Sequence, residues 1–130
     1  MKTRSTQFLL AATSLLCSAA SAAATDLTLH LNGTGTFSRN VVQYQCDAQG
    51  VTIGLPSGNF SVEYVNGGGN SLVVVPVSGS SLIFANVTSG SGARYAAGQY
   101  IWWEAQGAVT VYSDALSGKT QSACKRVTTS

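Results

Sequence analysis

The densest group of chemistry-bearing side chains lies between Ser89 and Trp103, where Ser89, Ser91, Arg94, Tyr95, Tyr100 and Trp102 fall within fifteen positions and Gly90 and Gly92 separate the first of them. These groups supply hydroxyls, one guanidinium and aromatic surface, and only the neutral hydroxyls among them are nucleophiles. Tyr, Trp and Arg are the types that dominate interface hot spots, and a serine hydroxyl can donate a charge-assisted hydrogen bond to a carboxylate. The set is suited to gripping a partner rather than breaking a bond. Enzymatic alternatives are poorly supplied. His30, the one imidazole in the chain, would have to serve as base for any Ser-His pair, and nothing links it to Ser91. Glu63 and Glu104 could form a two-carboxylate glycosidase pair, yet both occupy ordinary strand positions. Gly67 to Gly69 lack the following helix that a phosphate-binding loop requires. One His and no cysteine pair at ligand spacing disfavour a metal site. The expectation is a non-enzymatic protein without metal or cofactor.

The elements that hold these residues have opposite character. Ser89 to Gly92 is small and polar and reads as an exposed loop, with Arg94 and Tyr95 at its junction with a strand. Gln99 to Gln106 is a half-buried strand rich in aromatic and β-branched residues. Trp102 and Trp103 are neighbours in it and must face opposite ways. Trp103 is placed in the core with Ile101, and Trp102 with Tyr100 outside or beneath the loop. Further strands are expected at 27–31, 41–46, 51–55, 60–65, 71–77, 82–87 and 108–113, and a last segment reaches Cys124. Val42, Tyr44 and Cys46 should share one face, and so should Phe60, Val62 and Tyr64. No helix pattern survives in the mature part. Short strands separated by Gly-rich turns imply an all-β fold, an antiparallel barrel or sandwich of about eight strands, in which closure removes exposed edges.

Residues 1–24 read as a secretory signal peptide. Lys2 and Arg4 form the charged start, Phe8 to Cys17 a short apolar core, and Ala20-Ser21-Ala22 or Ala22-Ala23-Ala24 the cleavage site. The apolar core is too short to span a bilayer. Residues 25–130 are the mature domain. Cys17 does not fit a lipid-modified cysteine, because Leu16 and Ser14 stand where a small residue and Leu belong, so a soluble periplasmic or secreted protein is expected over a lipoprotein. Loss of Lys2 and Arg4 leaves five basic residues (Arg39, Arg94, Lys119, Lys125, Arg126) against five acidic ones (Asp26, Asp47, Glu63, Glu104, Asp114). A net charge near zero, with no basic patch, argues against nucleic acid binding. Cys46 and Cys124 are the two cysteines left, and in an oxidising compartment they read as one disulfide closing nearly the whole domain, worth about 4–5 kcal/mol in the loop-entropy model. The oligomeric state is open, a homodimer included.

Ser89-Gly90-Ser91-Gly92-Ala93-Arg94-Tyr95, then Ala96-Ala97-Gly98, then Tyr100-Ile101-Trp102-Trp103, resembles the signature of the bacterial inhibitors of c-type lysozyme, small membrane-bound or periplasmic proteins. That family's pattern is Ser-Gly-x-x-Tyr, a short gap with Gly, an aromatic strand with Trp, then Lys-Gly. The resemblance implies an eight-stranded antiparallel barrel, c-type lysozyme as partner and a part in evading host defence. It also implies that the Ser89–Tyr95 loop enters the lysozyme cleft and that Ser91 hydrogen-bonds a catalytic acid. Ser89, Ser91, Gly92, Arg94, Tyr95, Tyr100 and Trp102 are the expected binding residues. One departure stands out. Aligned without gaps from Trp103, the family's Lys-Gly falls on Ala105-Gln106; shifted by one residue, it falls on Gln106-Gly107. The cationic contact is missing either way. The competing expectation is a glycan-binding or adhesion module of the cell envelope that stacks a sugar ring on Trp102 and Tyr100.

Overall fold

The computed structural model describes residues 23–116 and 119–128. Residues 1–22 of the expected 1–24 signal peptide, Cys17 among them, lie outside the described residues. Eight antiparallel strands close into a barrel in simple sequence order: β1 (Ser38–Cys46), β2 (Asn59–Gly67), β3 (Asn70–Val77), β4 (Ser80–Val87), β5 (Ala93–Ala97), β6 (Tyr100–Ala105), β7 (Ala108–Ser113) and β8 (Gln121–Arg126), with β8 returning to β1. Two-residue turns at 68–69, 78–79, 98–99 and 106–107 join four of the strand pairs, and such tight connections carry the twist that a small barrel needs. Cys46 lies directly opposite Cys124 across the β1–β8 ladder, and the two form a disulfide across 78 positions of sequence. The bond therefore staples the first strand to the last, at the seam where the barrel closes.

The interior follows from alternation. Tyr44, Phe60, Val62 and Tyr64 point inward, as their spacing predicts, and pack with Val73, Val75, Phe84, Trp102, Val111 and Cys124 into one core. β3 is buried on its inner face and half-buried on its outer one, in line with its unbroken apolar run.

Eight is the expected number of strands, but two of them are not the expected ones. Residues 27–31 form no strand. They carry no regular secondary structure, and Leu27, Leu29 and Leu31 are 64, 59 and 54% exposed. Residues 51–55 are not a strand either, because Ala48–Ile53 forms a short helix, α1. Its β-branched Val51, Thr52 and Ile53 are weak helix formers, yet both ends are capped. The Asp47 carboxylate accepts the Gln49 N–H (3.1 Å), and the Gly54 N–H, at φ +106°, returns to the Gly50 and Val51 carbonyls. Asp47 also accepts the Ser122 hydroxyl (2.8 Å) and the Ala123 N–H (3.0 Å), so the cap ties the helix to β8. Ile53 and Leu55 then plug one end of the barrel, and that tertiary gain overrides strand propensity. The two strands not anticipated are β5, expected as loop and junction, and β8. The opposite end of the barrel carries the 67–70 and 106–107 turns and the loop 88–92.

Candidate functional site

The loop between β4 and β5 is pressed onto β6. Gly92 has φ +63°, and a Cβ built there would lie 1.9 Å from the Glu104 carbonyl oxygen, so only glycine permits this approach. From the outer face of β6, the Trp103 Nε1–H donates to the Ser91 carbonyl (2.9 Å), and the Ser89 hydroxyl donates to the same oxygen (2.5 Å). Both lone pairs of that carbonyl are thus engaged. Ser91 itself is exposed, and an added Cβ at Gly90 would meet nothing within 4 Å. The loop is tied through its backbone and free at its tip.

A second brace lies on the outer surface. Arg94 stands opposite Val87 on β4 and Trp103 on β6. Its Nη2 donates to the Tyr112 hydroxyl (2.8 Å), and its guanidinium carbon sits 5.9 Å from the centre of that ring, within cation–π range. The Arg94 Nε–H is buried without a partner among the described residues. Asn86 Nδ2 donates to the Arg94 carbonyl (3.2 Å), which fixes the strand just beyond the loop.

Inside the barrel a directed chain of hydrogen bonds runs beneath the same end. Arg126 Nε–H can only donate, so the Tyr44 oxygen accepts from it (3.3 Å). The Glu104 carboxylate accepts from the Tyr64 hydroxyl. The hydroxyls of Tyr44 and Tyr64 are 2.9 Å apart, and with the Tyr64 proton on Glu104 it is Tyr44 that donates to Tyr64. The Trp102 Nε1–H lies 3.1 Å from Glu104 Oε1 and 3.2 Å from the Tyr64 oxygen, and the Trp102 ring meets Tyr44 edge-on at 5.2 Å. Burial, reinforced by the bond to Glu104, pushes the Tyr64 hydroxyl far above its ordinary range, which keeps its proton in place as a donor. Above this network lies a depression of about 370 Å³ lined by Tyr44, Gly92, Ala93, Arg126 and the hairpin from Glu104 to Val109. The hairpin turns at Gln106 (φ +53°) and Gly107 (φ +78°).

The expected binding residues separate into groups. Ser89, Ser91 and Gly92 share the loop, and Arg94 braces the strand after it. Tyr95 is buried inside the barrel, 3.2 Å from the Ser71 hydroxyl. Tyr100 is at the other end, where it lines a second depression of about 330 Å³ beside α1. The placement of the tryptophans is reversed: Trp102 is 0% exposed in the core, and Trp103 is half-buried on the outer face. Ile101 is buried as expected, but on the outer side between Ala96 and Tyr112. The sequence holds the signal that decides this. A two-residue turn at Gln106-Gly107 puts Trp102 opposite Val111, and β7 buries Val109 and Val111. A fully buried Trp102 cannot stack a sugar ring, so the platform of the glycan-binding expectation is absent. Trp103, Tyr112, Tyr44 and Arg126 are the contributors that sequence reasoning missed. Glu63 and Glu104 do not converge: Glu63 pairs with Arg39 on the outer surface, while Glu104 turns inward. His30 lies in the exposed segment without regular secondary structure that precedes β1.

A family model described as membrane-bound lysozyme-inhibitor of c-type lysozyme matches residues 44–119. The membrane-bound lysozyme inhibitor of C-type lysozyme of Pseudomonas aeruginosa is 44% identical over 100 residues, which cover 75% of this chain and 72% of that protein. Its namesake in Cupriavidus necator is 40% identical over 62 residues, 48% of this chain and 43% of that one. Among solved structures, the crystal structure of Pseudomonas aeruginosa MliC in complex with hen egg white lysozyme superimposes with a TM-score of 0.63 at 42% identity, covering 80% of this chain and 98% of that chain.

Proposed function

This chain belongs to the family of membrane-bound inhibitors of c-type lysozyme, and from that premise we propose that it inhibits a c-type lysozyme by placing the loop from Ser89 to Gly92 in the enzyme's cleft. The Ser91 hydroxyl donates there to a catalytic carboxyl group. The observation that carries the reading is the state of Ser91: its carbonyl is held from two sides, while its exposed hydroxyl has no partner among the described residues. The loop is thus ordered before it binds, which lowers the entropy cost of association. The solved complex of the Pseudomonas relative with hen egg white lysozyme supports the choice of partner. Arg94 and Tyr95 serve the loop as supports, and Trp102 supports it through the core beneath. The family is one of inhibitors, and the activity proposed is binding rather than catalysis.

The turn at Gln106-Gly107 favours the alignment in which Gln106 stands where the family has lysine. The hairpin tip then approaches the lysozyme with an amide instead of a cation. One enzyme carboxylate is left without its charged partner, at a cost of about tenfold to a hundredfold in affinity. Both relatives are named membrane-bound, which supports a place in the cell envelope; the expectation of a soluble form finds no support in those names.

Calorimetric titration of the oxidised protein with hen egg white lysozyme, beside Ser91→Ala, tests the reading. A hydrogen bond to a charged group is worth about 1.5–3 kcal/mol, so the variant should bind roughly 10- to 150-fold more weakly. Equal affinity of the two forms would remove Ser91 from the cleft.

A further inference from the structure

The depression between the loop and the 106–107 turn has a charged floor that the loop-insertion reading leaves unused. A partner that grips Gly92 on one side and the hairpin tip on the other covers what lies between them, Glu104 included. Glu104 is half-buried, and its Oε1 takes the donors from Tyr64 and Trp102. Its Oε2 accepts no hydrogen bond from the described residues. The one cation of the lining among the described residues, Arg126, is exposed and commits its Nε to Tyr44; it feels the Glu104 charge at a distance but makes no salt bridge with it. Covering a carboxylate oxygen without giving it a donor removes its water and replaces it with nothing, which is strongly unfavourable. We infer that Glu104 is a specificity-determining residue, and that this depression receives a cationic side chain, Arg or Lys, projecting from the rim of the bound lysozyme's cleft.

The inference rests on the lysozyme-inhibitor reading. The fixed carboxylate rewards a lysozyme that presents a cation at this point and penalises one that presents an apolar or acidic group there. With Gln106 neutral, Glu104 supplies a charged contact of the opposite sign to the lysine contact that the chain lacks. Gln is nearly isosteric with Glu and its amide oxygen can still accept from Tyr64 and Trp102, so Glu104→Gln removes the charge and leaves the floor in shape.

The test is titration of hen egg white lysozyme into the full oxidised protein and into its Glu104→Gln and Arg126→Gln forms, at low and at high salt, with thermal unfolding of each form to establish that it is folded. Glu104→Gln is expected to bind about tenfold more weakly at low salt, with a smaller difference at high salt. Arg126→Gln removes the competing cation and is expected to bind more tightly. Binding by Glu104→Gln within twofold of the unsubstituted protein overturns the inference, and so does weaker binding by Arg126→Gln, which would mean that the depression receives an anion. If the unsubstituted protein itself fails to bind, the inhibitor reading falls and this inference falls with it, whereas strong unsubstituted binding with an indifferent Glu104→Gln overturns this inference alone.

Discussion

Substituting Gly92 by Ala tests how the loop is held. The residue has φ +63°, and its added Cβ would lie 1.9 Å from the Glu104 carbonyl oxygen and 3.0 Å from the carbonyl carbon. The backbone conformation alone costs an L-residue about 1–2 kcal/mol. The overlap cannot be relieved from the β6 side, because Glu104 is paired with both Ala93 and Val109 and moving it would disturb two ladders. The loop must move instead, by more than about 1 Å, to restore an ordinary separation of ~3.5 Å. The Trp103–Ser91 hydrogen bond, now 2.9 Å, is lost in that movement, at about 0.5–1.5 kcal/mol. The expected destabilisation is therefore about 2–3 kcal/mol, a fall in Tm of roughly 10–20 °C for a domain of this size. Gly90→Ala, two residues away, is the control: nothing lies within 4 Å of its added Cβ and its φ is not positive, so its stability should stay within about 0.5 kcal/mol of the unsubstituted protein. Denaturant unfolding of the three forms gives the stabilities, and titration with hen egg white lysozyme reports whether a displaced loop still binds. Equal stability of Gly92→Ala and Gly90→Ala would refute the argument that the loop is seated on β6.

Trp103→Phe keeps most of the apolar contact and removes one donor, so stability should fall by about 0.5–1.5 kcal/mol, and lysozyme titration should show weaker binding because the Ser91 carbonyl is held from one side only. Gln106→Lys restores a cation at the hairpin tip and should tighten lysozyme binding about tenfold; unchanged affinity would show that the turn does not face an acid. The Ala123 N–H and the Ser122 hydroxyl hold the Asp47 carboxyl below the usual carboxylate range. A lowered value in the folded state stabilises above the unfolded pKa of about 3.9 and loses that contribution as pH falls through the folded value. Denaturant midpoints should therefore show Asp47→Asn less stable than the unsubstituted protein at pH 7, with the gap narrowing below about pH 4. Replacing Cys46 and Cys124 by Ser opens the barrel seam and should lower the stability measured by denaturant unfolding by about 4 kcal/mol.

Alternation alone was enough to read the inward faces of β1 and β2, because each of those strands has one buried side and a period of two. Counting the cysteines left after the expected signal peptide, in an oxidising compartment, was enough to pair Cys46 with Cys124. The Ser-Gly loop and the aromatic strand after it were legible as a presented loop on a stiff support, and their order of residue types carried the family resemblance. Where local preference and tertiary gain disagree, sequence reasoning failed. Val51 to Leu55 has strand propensity, but the Asp47 cap bonds to β8, 75 and 76 positions away, and that long-range anchorage makes the segment a helix. Leu27, Leu29 and Leu31 have strand periodicity without a strand, because β8 returns to β1 and leaves every strand with two neighbours already. The choice between Trp102 and Trp103 has the same origin. A strand's own pattern says that its neighbours diverge; which of them enters the core depends on the register with the next strand. That register brings Trp102 to Tyr44, Tyr64 and Glu104 and leaves Trp103 outside to hold the loop. What the chain settles by itself is therefore local: which residues can sit in a strand, a turn or a loop. Which side chains meet is decided by closure of the barrel, since closure alone brings positions 44, 64, 104 and 126 within hydrogen-bonding reach of one another.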